Sequence, residues 1–286
     1  MNSQYEPLAV SSFLLWLDNR ILNNAAFYNY SSQLYPIPQI YNGLYSYSTP
    51  YAQLVSDTSI SGANVMTGVY LNGKFVTKGQ SGLYDIDYTR GIAHFTSPIN
   101  NNVLISGNYA IKEVNTVLPS FYDLKTLFET KLFLKSVRPT IPTGIQYDTL
   151  TYPAIFITSE SSDNQPFAIG GLDQTRLRIG CYIFAESLLQ SNNINSIIRD
   201  SVYKFVPFIN ENEMPFTPFN GYTGTTPYSY ANLTKNKLST NYGMLVENVD
   251  LTSLTLRGLR TEIENLTTAA FFSHAEVTLW KDRVTS

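Results

Sequence analysis

Apolar positions along the first part of the chain keep a helical beat. Val10, Phe13, Leu14, Leu17 and Ile21 fall at i, i+3, i+4, i+7 and i+11, which places them on one face of a helix. The pattern predicts a helix over residues 7–25, with Pro7 in its first turn, where a missing N–H costs nothing. Its apolar face is expected to dock on the chain's own core. From 27 to 55 the beat is lost. "FYNYSSQLYPIPQIYNGLYSYSTPYAQLV" keeps neither helical nor strand period and reads as an extended arm or long loop. Its tyrosines argue that something covers it, since a solvated linker has little use for amphipathic rings. The arm is expected to become ordered only against neighbouring chains.

Between 58 and 118 the period shortens to two. Val69-Tyr70-Leu71 and Lys74-Phe75-Val76 flank Asn72-Gly73, a strong hairpin signal because both turn positions tolerate positive φ. In "GLYDIDYTRGIAHF", Tyr84, Ile86 and Tyr88 alternate with Leu83, Asp85 and Asp87 ahead of a turn at Thr89-Arg90-Gly91. One or two more strands are expected over Val103–Ile111. Dense turn signals describe a small barrel or sandwich. This stretch is expected to be an attachment module that closes locally, outside the main sheet.

After Pro119 the rhythm changes again. Ser120 with Asp123 resembles a helix start, and Phe121, Leu124 and Phe128 continue one face to about Val137. A Pro, Gly and Thr loop follows over 139–152. A strand is predicted at 152–160, a loop at 161–173 and a long strand at 174–186. In the long strand Arg176, Arg178, Gly180, Tyr182 and Phe184 alternate with Leu177, Ile179, Cys181, Ile183 and Ala185. A helix over 187–209 carries Ile194, Ile197, Ile198 and Phe205 as its stripe, with Ser201 on the same face and Pro207 as its end. A loop over 208–242 precedes two late strands, "YGMLVENVDLTSLTL" and "FFSHAEVTLW". The fold class expected is α+β, a mixed or antiparallel sheet with flanking helices plus an inserted small all-β module. The expected units are 1–57 (helix and Tyr-rich arm), 58–118 (β-hairpin module) and 119–286 (α+β domain).

Composition narrows the function. Charged residues make up 14% of the 286 positions and the net charge is −3, against about 25% charged residues in an ordinary domain. No basic run exists, so binding through phosphate neutralisation, and sequence-specific nucleic-acid binding with it, is not expected. The chain holds 21 Tyr and 16 Phe. Few charges and many amphipathic rings fit a surface covered by other subunits, and also a strand-rich domain. Cys181 is the single cysteine, so no intrachain disulfide forms and no oxidising compartment is implied. Ser11, Ser12, Asp18, Asn19 and Arg20 interrupt Leu8–Leu22. Neither a signal peptide nor a membrane span is expected.

Candidate chemistry is sparse. His94 and His274 are the two histidines, and neither has a second ligand at metal-binding spacing. Cys181 sits mid-strand among apolar residues, the setting of an inert thiol. Asp85 and Asp87, with Asp57 or Glu113, could approach a calcium ion, but a calcium loop needs more oxygen ligands close by. "AIGGLD" lacks the Lys and the strand–loop–helix setting of a phosphate loop. Asn29, Asn232 and Asn265 open glycosylation sequons that carry no meaning without secretion. No catalytic, cofactor-binding or metal residue is assigned, and no enzyme or cofactor is expected.

"YPAIFITSE", then a Gly-bearing loop, then "TRLRIGCYIFAESLLQSNNINSIIRDSVYKFVPFI", resembles the neck and tail-terminator (head–tail connector) proteins of tailed bacteriophages over roughly 119–286. The resemblance implies a sheet with one or two flanking helices, six copies of which close into a ring at the top of the tail tube. It implies a virion structural subunit assembled in the host cytoplasm, with other neck and tail proteins as partners and no membrane. The hairpin module departs from the family's minimal pattern. The alternative is a baseplate or receptor- and glycan-binding virion protein.

Overall fold

The computed structural model describes residues 5–41, 43–118, 153–166, 173–185, 187–215, 227–237, 243–254 and 271–283. The first helix, α1, spans Tyr5–Asn23. It is buried almost all round between Ser12 and Asp18, more than one amphipathic face requires. The cause is tertiary: α1 lies between two β assemblies.

The segment 27–55, expected as an arm or loop, is mostly strand. It forms β1 (Phe27–Gln33), β2 (Tyr35–Tyr41) and β3 (Leu44–Ser48). Then come β4 (Gly68–Leu71), β5 (Lys74–Thr77), β6 (Leu83–Asp87), β7 (Ile92–Phe95), β8 (Ile105–Lys112) and β9 (Asn115–Val117). One four-stranded sheet runs β1-β8-β4-β5 and a second runs β2-β3-β7-β6. Strands from 27–48 thus complete the sheets of the unit expected at 58–118. Local periodicity missed them because long-range partners, Tyr28 opposite Ile111 and Tyr47 opposite Ala93, supply the hydrogen bonds. The two sheets enclose a core that includes Leu34, Val69, Tyr88, Phe95 and Tyr109.

Both hairpin turns form as expected. Asn72 and Gly73 have φ of 49° and 81°, the left-handed pair a two-residue hairpin turn requires. The alternation in β6 is broken by an irregularity between Leu83 and Asp85. Leu83 and Ile86 are therefore both buried while Tyr84 faces out, as a bulge dictates.

The third sheet contains β10 (Ala154–Pro166), β11 (Asp173–Ala185), β12 (Phe205–Pro207), β13 (Gly243–Leu254) and β14 (Phe271–Arg283). Its order is β12-β13-β14-β11-β10-β9. Only β9 and β10 pair in parallel; the other ladders are antiparallel. One face packs on α1 and on α2 (Leu188–Arg199). The architecture is α+β, with a mixed sheet, flanking helices and a β-rich unit, and strand predominates.

Two forecast boundaries shift. The strand forecast for 152–160 continues to Pro166, because β11 pairs with it along its whole length. The loop forecast for 161–173 is to that extent strand. The helix forecast for 187–209 ends at Arg199. Ser187 caps its start, accepting from Gln190 N at 3.2 Å, and beyond Asp200 the chain turns through Tyr203 at φ 62°. There Tyr203 N donates to Val246 O and Val246 N donates to Lys204 O. Phe205 consequently sits in β12 and not on a helical stripe. The forecast loop over 208–242 contains a 3-10 turn at Glu211–Glu213 and a short helix, α3 (Tyr230–Thr234). The helix forecast after Pro119, the loop at 139–152, most of "AIGGLD" and the Asn265 sequon lie outside the described residues.

Candidate functional site

The residues singled out for chemistry do not converge. His94 lies on β7, where its Nδ1 shares a 2.9 Å hydrogen bond with Ser46 Oγ. Burial pushes its pKa below the ordinary imidazole value, as expected when a charged ring is desolvated. His274 is on β14, in a different sheet. Asp85 accepts from Lys78 Nζ at 3.1 Å, and Asp87 accepts from Arg90 N at 2.9 Å. Asp57 is fully buried elsewhere, accepting from Asn19 Nδ2, Ser59 and Tyr230 N. Its role is to join α1 to the start of α3. Glu113 lies beside the Tyr28 hydroxyl, whose pKa its charge raises. Among the described residues no group of three or more His, Cys, Asp or Glu could hold a metal ion.

Cys181 is fully buried between the sheet and its helices, and burial pushes its thiol pKa up. A thiol held in its protonated form by burial is a poor nucleophile. Native protein is expected to resist Ellman's reagent and to release one thiol per chain on unfolding in urea. Rapid labelling without denaturant would contradict this placement.

The face of the third sheet opposite α1 and α2 gathers polar side chains that sequence alone could not pair. Glu160 Oε1 accepts from the Tyr182 hydroxyl at 3.0 Å and lies 2.9 Å from His274 Nε2. The Tyr182 and His274 rings are 4.6 Å apart and tilted by 31°. Burial raises the Tyr182 pKa, and the adjacent Glu160 carboxylate adds to the rise. Glu160 fits closely here because β11 carries Gly180, where an added Cβ would come within 2.2 Å of its Oε1. Farther along, Arg178 approaches Glu276 at 3.4 Å and Arg176 pairs with Glu247 at 2.9 Å. Among the described residues no serine or threonine hydroxyl and no thiol hydrogen-bonds to His274. Among the described residues the cluster brings together an acid, an imidazole and a phenol, with no nucleophile aligned to them. It is a paired polar face, with cross-strand contacts each worth little in water.

The edges of this sheet are its other distinctive feature. β9 covers only Ala154–Phe156 of β10. Among the described residues no strand pairs with the same edge of β10 from Ile157 to Pro166, and Ser159–Asn164 are exposed. At the opposite side β12 covers only Gly243–Leu245 of β13, and residues 248–254 have no second strand among the described residues. Unpaired edges of this length are templates for strand addition by another chain. The alternation of Arg176, Arg178 and Tyr182 marked this face in the sequence; strand order, and hence which edges stay open, left no local mark.

No protein-family model matches the chain, and no curated protein matches it.

Proposed function

We propose that this chain is a non-enzymatic structural subunit of a tailed-bacteriophage virion, closing into a homo-oligomeric ring, six copies expected, in the neck as tail terminator or head–tail connector. The observation that carries the reading is the third sheet, with two helices packed on one face, charged and polar side chains beside a small apolar cluster on the other, and long edges of β10 and β13 that no strand covers among the described residues. A closed ring covers such edges with the neighbouring subunit, which a cyclic assembly does identically at every interface. The sheet with flanking helices also fits the resemblance seen in the sequence. On this reading the partners are further copies of the chain and other neck and tail proteins, and the destination is the virion. Neither a membrane nor a specific nucleic-acid sequence is engaged.

Native mass spectrometry and analytical ultracentrifugation on the purified chain test this reading. The expected species has six times the 32.2 kDa chain mass, or a stacked pair of such rings. A monomer that persists at high concentration would refute it. A monomer or trimer with glycan affinity would favour a baseplate or receptor-binding role. Hydrolytic or metal-dependent turnover that is lost on mutating His94, His274 or Cys181 would refute the non-enzymatic reading.

A further inference from the structure

The β unit carries a cleft of about 310 Å³ on the outer face of its β1-β8-β4-β5 sheet, with Asn64, Thr67, Gly68, Tyr70, Phe75 and Asn108 among its lining residues. Its volume is at the low end for small-ligand sites, roughly 300–1,000 Å³. Three features of this half-open cleft bear on what it could bind.

The first is an aromatic platform. Phe75 is 43% exposed although it lies in a strand, and its ring sits 5.0 Å from that of Tyr70 opposite. Gly68 lies under it: a Cβ there would meet the Val76 backbone oxygen at 2.2 Å first and Phe75 Cζ at 2.9 Å next, so the ring rests on bare backbone. The second is a fixed wall. The loop over 62–67 is held to β1 by Asn29, whose Nδ2 donates to Gly62 O at 2.8 Å and whose Oδ1 accepts from Asn64 N at 2.8 Å. The same loop is held to the core by the Tyr88 hydroxyl, which donates to Met66 O at 2.7 Å. The turn that joins the platform strands β4 and β5 is clamped to the start of β8, with Leu104 N donating to Asn72 Oδ1 at 2.8 Å. A cleft with walls anchored in this way loses little entropy on binding.

The third feature is chemical. The described lining residues carry no charge, which disfavours phosphates, metal ions and acidic ligands. The Asn64, Thr67 and Asn108 side chains stand exposed beside the rings. Amides and hydroxyls both donate and accept, the capacity that matches vicinal hydroxyls. An exposed aromatic ring offers an apolar surface to the C–H face of a pyranose. From this combination we propose that the cleft binds a short neutral saccharide, with Phe75 as the stacking platform and Asn108 and Asn64 as hydroxyl readers. The site lies within a single chain and needs no ring assembly, so it can succeed or fail independently of the function proposed above.

A printed array of neutral oligosaccharides of glucose, mannose, galactose and N-acetylglucosamine tests this with the full chain. Sialylated and sulfated glycans and a proline-rich peptide serve as controls. Retention of neutral glycans is expected. Titration calorimetry with the best of them should then show at least tenfold weaker binding for Phe75→Ala and for Asn108→Asp. Asn108 is exposed, so its variant should keep the wild-type unfolding temperature. The proposal is overturned if wild type retains no neutral glycan, or if both variants bind as wild type does. It is also overturned if only charged glycans or the peptide are retained.

Discussion

Asp18→Ala is expected to destabilise the protein by about 3–5 kcal/mol, the usual cost of breaking a buried ion pair by removing one member. Asp18 is 4% exposed on α1. Lys112 Nζ, at the end of β8, lies 2.7 Å from both of its carboxylate oxygens, and Thr116 Oγ1 donates to one of them at 2.9 Å. Truncation removes this carboxylate from beside the Lys112 ammonium, whose side chain is only 13% exposed. Replacing both residues by apolar ones of similar shape, Asp18→Leu with Lys112→Met, should recover much of the loss. Urea unfolding of the four proteins measures this directly. A single-mutant loss below about 1 kcal/mol, the range of a solvent-exposed pair, would show that this contact is not buried as described. Added salt should leave the effect largely intact, because buried pairs are weakly screened.

Phe13→Ala should cost a similar amount, about 3–5 kcal/mol for a fully buried aromatic ring. Phe13 is 1% exposed and packs 5.5 Å from the Trp16 ring. It belongs to a core that also holds Ile155, Ile179, Val277 and Leu279 of the third sheet and Ile194 of α2. The deletion therefore leaves a cavity between elements more than 140 positions apart in sequence, where collapse is limited by strands on one side and a helix on the other. Thermal unfolding followed by circular dichroism reads the loss. An unchanged midpoint would mean that α1 does not dock on the sheet.

These two positions mark how far local pattern reaches. The i, i+3, i+4 and i+7 spacing of Val10, Phe13, Leu14 and Leu17 is a property of consecutive side chains, and α1 forms where it occurs. The Asn72-Gly73 and Thr89-Arg90-Gly91 turns are equally local, since positive φ is decided by the residue that adopts it. The alternation in β11 reads directly over Leu177, Ile179, Cys181 and Ile183, which are buried against the helices, while Arg178 on the other side is exposed and Phe184 there packs in a second cluster with Phe156. The α+β class follows from these patterns.

Where two distant segments had to meet, local pattern was blind. The strands in 27–48 have mixed polar and aromatic composition and acquire their conformation from β8 and β7. Asp18 interrupts an apolar stretch in the sequence, and only the fold sets Lys112 against it. Asp57, which sequence alone offers as a partner of Asp85 and Asp87, is a buried acceptor for Asn19 and Tyr230. Helix α2 stopped short of Phe205 because the backbone of Tyr203 and Lys204 found hydrogen bonds at Val246. The polar face around Glu160 and the cleft beside Phe75 belong to the same class. Each joins residues from separate strands or loops, and their proximity depends on strand order. That order is decided by which hydrophobic faces can be buried together, an energy that no short window of sequence contains.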